Sequence, residues 1–470
     1  MADPMGAAGV RDAQEVDFDV RDLHGSGSWE NMAVLRSCHS RHRTQTGAGA
    51  YGPGPALEKP LSKPSTLAWL AWLSAALFFC YAWVLRVSPS VIVGELMAEL
   101  AAGGAIVGHL SAMYFYGYSG MQVPVGMLLD RFGGRRLITM AAAVCALGGV
   151  LFALSEGVFM LSAARFMIGA GAAFSLMGAI FLANQWLPAR YFALLSGIAI
   201  LFGMVGGMLG QGPVRLLVDA IGWRETMLLV ATAGALLSIA AWSTVRDKPR
   251  NANAPAGILT GLSEVVRERQ NWISALAGLG LNGPLLGFGA LWGVPYLAQL
   301  LNVPPAQAAG IASAVLAGMG LGAPFFGWLS DSLGRRRGPL MGGISVCLCA
   351  LALLLYGGVG SVPVALVCCF LIGFGCAAQI ISLAFVRVHN PSYRAGTAVG
   401  LVNCMLTGAG ALFQPLIGWL LDLRWDGTLA DGTRQYRLDD FRFALSVLTV
   451  GLCMSLLLAT RLDDPDPGLE

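Results

Sequence analysis

The chain has 470 residues, of which 56% are hydrophobic and only 12% charged, with a mean hydropathy of +0.66 and a formal net charge of +3. A soluble globular domain carries about 25% charged residues, so this composition excludes one and describes a protein held mostly in lipid. The small net charge gives no basis for nucleic-acid binding, and the 62 glycines suit membrane helices that approach one another closely.

Residues 1–64 are polar, rich in Gly, Pro and charge, and end in KPLSKPS, with no apolar segment after a basic start. That pattern predicts a disordered cytoplasmic tail and no secretory signal peptide. From Leu67 onward come apolar runs long enough to cross about 30 Å of hydrocarbon at 1.5 Å per residue. They predict twelve helical spans, at 67–90, 105–129, 137–155, 158–183, 192–217, 225–245, 272–297, 306–329, 339–357, 362–386, 395–421 and 441–460. Between the sixth and seventh lies 246–271, whose second part reads as a short amphipathic helix on the membrane surface. The expected organisation is an all-α membrane protein with a six-helix bundle at 65–245, a cytoplasmic linker at 246–271, a second bundle at 272–460 and a tail at 461–470.

Internal repetition relates the two halves. GMLLDRFGGRR at Gly126–Arg136 returns 201 residues later as GWLSDSLGRRR at Gly327–Arg337. Gly169 and Gly171 return as Gly373 and Gly375, and Arg190 as Arg394, each 204 residues on. Three anchors in similar register predict two bundles related by a pseudo-two-fold axis along the membrane normal. With the amino end inside, the inner loops carry Arg131, Arg135, Arg136, Arg190, Arg246, Lys248, Arg335, Arg336, Arg337 and Arg394, while most outer loops carry almost no base. The loop 422–440 is the exception, its arginines matched by aspartates. The positive-inside count puts both termini in the cytoplasm, and the expected setting is a bacterial inner membrane.

Polar groups inside the spans are the candidates for solute contact. Arg86, in FFCYAWVLRVSPS, lies within the outer half of the first span. Burying an isolated guanidinium costs at least about 2.5–3.5 kcal/mol, so Arg86 should face a cavity or an anionic partner, unless it snorkels to the headgroups. Arg165 in the fourth span is expected either to line the cavity or to pair with a polar group of the first helix. In the second span Tyr114, Tyr118 and Gln122 recur every four residues on one helix face, and with Tyr81 they offer an aromatic, hydrogen-bonding wall or ordinary packing. The second half offers Asn282, Trp292, Tyr296, Gln379, Asn403 and Gln414. Asn282-Gly283-Pro284, Gln211-Gly212-Pro213 and Gln414-Pro415 predict bends, because proline removes a backbone donor. No span carries Asp or Glu at its middle, so no buried carboxylate is at hand for proton coupling. His109 reads as an interface residue. The ten cysteines have no metal-ligand spacing with histidines and read as packing residues, so no metal or other cofactor is expected. No Walker loop and no nucleophile with an adjacent base point to an enzyme.

The doubled loop, with Gly126, Asp130, Arg131, Gly133, Arg135 and Arg136 in one copy and Gly327, Asp331, Gly334, Arg335 and Arg336 in the other, resembles that of the major facilitator superfamily. Arg165, Gly169 and Gly171 resemble its fourth-helix RxxxGxG pattern. Ser332 stands where the first copy has Arg131, a departure that weakens the second copy. The resemblance covers residues 67–460 and implies transport by alternating access between two rocking bundles. It implies gating by the loop residues: Asp130 would cap a helix start across the bundle interface, and the arginines would bind acids or anionic lipid headgroups. Tyr81 followed five residues later by Arg86 resembles the first helix of the superfamily's organic-anion and organophosphate transporters, where that arginine grips the anionic group. The seventh span has no opposing arginine, which favours a carboxylate, amino acid or short peptide over a phosphate ester. Gly206, Gly207, Gly210, Gly212 and Pro213 loosely resemble the glycine-proline motif of drug antiporters. Export of apolar or cationic drugs therefore stays open, as does a membrane sensor or assembly role without transport. The expected partners are a small organic solute, membrane lipids and, for a coupled carrier, protons, with the chain acting as a monomer.

Overall fold

The computed structural model describes residues 66–247, 258–430 and 433–464. The predicted amino-terminal tail, the first part of the linker and the last residues of the carboxyl tail lie outside the described residues, as does the side chain of Asp130.

The apolar runs become helices because, in hydrocarbon, every backbone N–H and C=O must be satisfied within its own segment. Among the described residues, eleven helices are long and apolar enough to cross a membrane, or twelve when the bent pair Val93–Glu99 and Gly104–Gln122 counts as one. The second span reaches that standard only with the short helix before it, at an angle of 118°, because it carries His109, Tyr114, Tyr116, Tyr118 and Gln122. In order, the spans are Thr66–Val87, Gly104–Phe132, Gly134–Leu154, Val158–Trp186, Phe192–Leu209 with Gly212–Ile221, Trp223–Thr244, Arg269–Leu301, Pro305–Ala312 with Ala314–Leu333, Arg337–Tyr356, Val362–Cys376 with Gln379–His389, Ser392–Arg424 and Leu438–Ala459.

Proline acts differently at the three predicted bends. At Pro284 the seventh helix changes to a nine-residue π segment, Pro284–Trp292, and then resumes its α form. At Gln211 the fifth breaks, with φ −104° and ψ −89°, and restarts with a proline in its first turn. The eleventh runs unbroken from Ser392 to Arg424 with Pro415 inside it, so no break follows from Gln414-Pro415. The loop before the twelfth span contains a short antiparallel ladder, Leu429–Ala430 with Thr433–Arg434, which the all-helical reading lacks.

Close approach of glycines repeats the pseudo-symmetry in space. A Cβ at Gly169 would overlap the carbonyl of Tyr114, and one at Gly373 would overlap that of Val315. Gly171 lies against Ala141 and Cys145 as Gly375 lies against Gly343 and Cys347. The fourth span thus packs on the second and third as the tenth packs on the eighth and ninth. Such contacts between small residues replace the hydrophobic drive that lipid removes.

The end of the molecule bearing the two repeated loops is here the motif end, and the opposite one the far end. At the far end the two bundles meet tightly: Gly104 and Ala105 of the second span donate to Asp422 of the eleventh at 3.0 and 2.9 Å. Contact along these two spans continues through Ser119 and Thr407, 2.8 Å apart, to Asn403, which donates to Gln122 at 2.8 Å. At the motif end charged groups pair within their own bundle. The linker helix Ile258–Arg267 joins the second bundle through Glu264 to Arg394 at 3.2 Å and Glu268 to His389 at 3.7 Å.

Candidate functional site

Arg86 is placed by the end of its own helix. Pro89 has no N–H, so the carbonyl of Leu85 loses the donor that an α-helix would supply four residues on. The helix ends at Val87 and a 3-10 turn, Ser88–Val91, follows. Ser88 Oγ and Arg165 Nη1 donate to the freed carbonyl at 3.2 and 2.7 Å. Arg165 of the fourth span therefore clamps the turn that carries Arg86.

Both guanidiniums are inside the protein, Arg86 being 5% exposed and Arg165 1%. Both lie beside a single phenol ring: the Arg86 carbon is 5.3 Å and the Arg165 carbon 5.1 Å from the centre of Tyr114. Arg86 Nε also donates to the Tyr114 hydroxyl at 3.2 Å. Trp83 at 4.2 Å and Tyr118 at 4.7 Å complete a cage around Arg86. Each such contact offsets about 0.5–2 kcal/mol of desolvation, less than the full cost of two buried cations. Arg86 Nη2, Arg165 Nε and Arg165 Nη2 are buried with no hydrogen-bond acceptor among the described residues. A charged donor without a partner costs more than the about 1–3 kcal/mol of a neutral one, so an anion placed between them would gain what the protein leaves unsatisfied.

The remaining candidates separate into groups. Tyr118 stacks on Tyr114 with centres 5.9 Å apart, and Gln122 lies further along the same face, held by Asn403. Tyr81 does not join them. Its hydroxyl lies against Gly234 of the sixth span, since five residues at 100° each set it about 140° around the helix from Arg86.

In the second bundle Asn403 meets Gln122 across the interface, and four other candidates donate to backbone carbonyls. Asn282 donates to Leu406 O at 2.6 Å, Trp292 to Gln414 O at 3.0 Å, Gln414 to Leu286 O at 2.8 Å and Tyr296 to Leu354 O at 2.9 Å. Tyr296 also packs on Phe288 and Phe441 inside its own bundle. Gln379 is buried, with Met319 Sδ 3.7 Å from its amide nitrogen. The repeat gives Val315, Met319 and Cys369 as the counterparts of Tyr114, Tyr118 and Arg165, so the cationic, aromatic site belongs to the first bundle alone.

The loop residues form turns. Gly133 and Gly334 adopt φ of +83° and +57°, which only glycine takes without strain. Asp247 accepts from the backbone of Arg135 at 3.0 Å and lies against Gly133. Arg135 stacks on Trp242 at 4.1 Å and donates to its carbonyl. Asp464 accepts from the backbone of Arg336 and Arg337 at 2.9 and 2.8 Å, and the Arg336 side chain pairs with Asp331 at 2.5 Å. Arg131, Arg136 and Arg335 are exposed, and a Cβ at Gly126 or Gly327 would touch nothing. The caps of the third and ninth helices come from aspartates just after the sixth and twelfth, in the same bundle; the expected cap by Asp130 lies outside the described side chains. Sequence reading missed Asp247 and Asp464; the signal was an acid a few residues after each half's last span.

This two-bundle, twelve-span architecture is that of a membrane carrier. The profile of the Major Facilitator Superfamily matches residues 70–424, and the chain belongs to that superfamily. It is an integral membrane transport protein and not an enzyme. A candidate tartrate transporter of Agrobacterium vitis is 22% identical over 417 residues, 82% of this chain and 91% of that one. A probable sulfoacetate transporter of Cupriavidus necator is 24% identical over 154 residues, 33% of this chain and 36% of that one. For several relatives, the latter included, the matched stretch spans only about a third of their length. Among solved structures, a bacterial homologue of the human lysosomal transporter Spinster, inward-facing and unoccupied, superposes with a TM-score of 0.71 at 17% identity, covering 85% of this chain and 98% of that one; that likeness concerns the fold.

Proposed function

We propose that this protein carries a small organic acid, a carboxylate or sulfonate, across the membrane by alternating access, with the acid group held between Arg86 and Arg165. The observation that carries this is the pair of buried guanidiniums beside Tyr114, with three of their nitrogens left without acceptors among the described residues. Two relatives bear names of acids, tartrate and sulfoacetate, that fit such a site. Tyr118 and Gln122 extend the same wall toward the motif end, where the solute's remaining polar groups would lie.

The bundles correspond to 65–245 and 272–460. The concentration of arginine in the loops of the motif end supports placing that end, and both termini, in the cytoplasm of a bacterial inner membrane. The far end then faces outward, and the conformation is closed to the outside. The exposed Arg131, Arg136 and Arg335 are placed to meet anionic lipid headgroups. The carrier acts as a monomer, and any proton coupling runs through the bound acid, since no span holds a carboxylate at its middle.

The test is uptake of labelled small acids, tartrate and sulfoacetate first, into proteoliposomes containing the full chain. Saturable uptake lost in Arg86→Ala supports the reading. Transport confined to cationic or apolar drugs, indifferent to that substitution, would overturn it in favour of export.

A further inference from the structure

We propose that Asp422 is the catch that holds the far end shut, by capping the second span from the opposite bundle. Its carboxylate receives the backbone N–H of Gly104 at 3.0 Å and of Ala105 at 2.9 Å, two donors that a helix cannot satisfy internally. Around it, the Tyr436 hydroxyl donates to the carboxylate and accepts from Gly104 N at 2.8 Å, and Arg434 pairs with it at 3.1 Å. The helix start and the acid come from different bundles, so these bonds exist only while the bundles touch here. Glycines bring the backbones together: a Cβ at Gly103 would overlap the Asp422 carboxylate, and Gly104 and Gly418 lie backbone to backbone.

The symmetry-related seam lacks this catch. The repeat that links Gly126 to Gly327, 201 residues on, carries Gly103 and Gly104 onto Pro304 and Pro305 at the start of the eighth span. Asp219, 203 residues before Asp422, ends the fifth span as Asp422 nears the end of the eleventh. The two prolines have no N–H to offer. Asp219 instead pairs with Arg215 at 2.6 Å, within its own bundle. A cavity of about 430 Å³ remains at that seam, bordered by Glu95 and Arg215 on one side and by Val294, Pro295 and Pro305 on the other. The Asp422 cap belongs to one seam, while beside the other Gln211 of the fifth span donates to the Gly289 carbonyl of the seventh at 2.6 Å, a neutral bond without a helix cap, so release of Asp422 is the step that frees the capped seam to open. The inference rests on the two-bundle carrier fold and not on the identity of the solute.

Hydrogen–deuterium exchange of the purified full chain in lipid nanodiscs tests it without any ligand. Asp422→Asn should raise exchange about tenfold, the scale of a charge-assisted hydrogen bond, at 104–110 and 414–421. The same variant should raise it at the other seam, 214–218 and 305–311, and lower it at the motif end around 186–192 and 389–396. Tyr436→Phe should move the same segments in the same direction by less, and Asp219→Asn should leave the motif end unchanged. Exchange raised only at 104–106, or an equal shift with Asp219→Asn, would overturn the proposal, because the bonds would then be local caps with no hold on the bundles.

Discussion

At the scale of single residues, the position of Arg86 follows from a missing hydrogen. Pro89 leaves the Leu85 carbonyl open, and Arg165 takes it at 2.7 Å. Arg165→Met should therefore destabilise the protein by about 1–3 kcal/mol, the range for an unsatisfied buried polar group. In a Pro89→Ala background, where the backbone can supply the donor, the same change should cost less. Thermal unfolding of the four proteins in the cycle checks this, and equal costs in both backgrounds would remove Arg165 from the clamp. Arg86 was legible in the sequence because a charge in an apolar run demands an explanation. The direction of Tyr81 was legible too, from the 140° that five residues turn, but the family pattern drew the two residues together. Trp292 and Tyr296 were not legible, because spacing alone does not say whether a polar tip faces a cavity or a neighbouring carbonyl.

At the scale of elements, glycine contacts decide how the spans pack. Gly169 and Gly373 sit against the backbones of Tyr114 and Val315, whereas Gly120 has open space beside it. Gly169→Ala and Gly373→Ala should lower the melting temperature markedly, since the clash is with backbone that cannot give way. Gly120→Ala should be neutral or slightly stabilising, given the helix preference of alanine. The loop caps make a second prediction. Asp247→Asn and Asp464→Asn keep an acceptor but lose its charge, and each should cost under about 1 kcal/mol, with Ala at either position costing about 1 kcal/mol; chemical denaturation of each variant checks it. The spans themselves were readable because length and hydropathy suffice for a helix in lipid. The π segment after Asn282-Gly283 and the unbroken helix at Pro415 were not, since the response to a proline depends on which neighbours re-satisfy the freed carbonyl.

At the scale of the whole molecule, the two halves share a fold and have divided its tasks. The repeated glycines keep the packing equal, while Tyr114, Tyr118 and Arg165 have Val315, Met319 and Cys369 as counterparts. One bundle carries the charge that would hold a solute, and the other has no arginine at the corresponding positions. The repeated motif was plain in the sequence, but the state of the molecule was not: contact at the far end, with pairing inside each bundle at the motif end, depends on chain positions about 300 residues apart. The most direct test of the central claim is binding of tartrate and sulfoacetate to the purified protein by isothermal calorimetry, for wild type, Arg86→Ala and Arg165→Met. The account predicts saturable binding of at least one acid by the wild type and a loss of tenfold or more in each variant. Acid binding equally strong in Arg86→Ala, or binding only of cationic compounds, would contradict it.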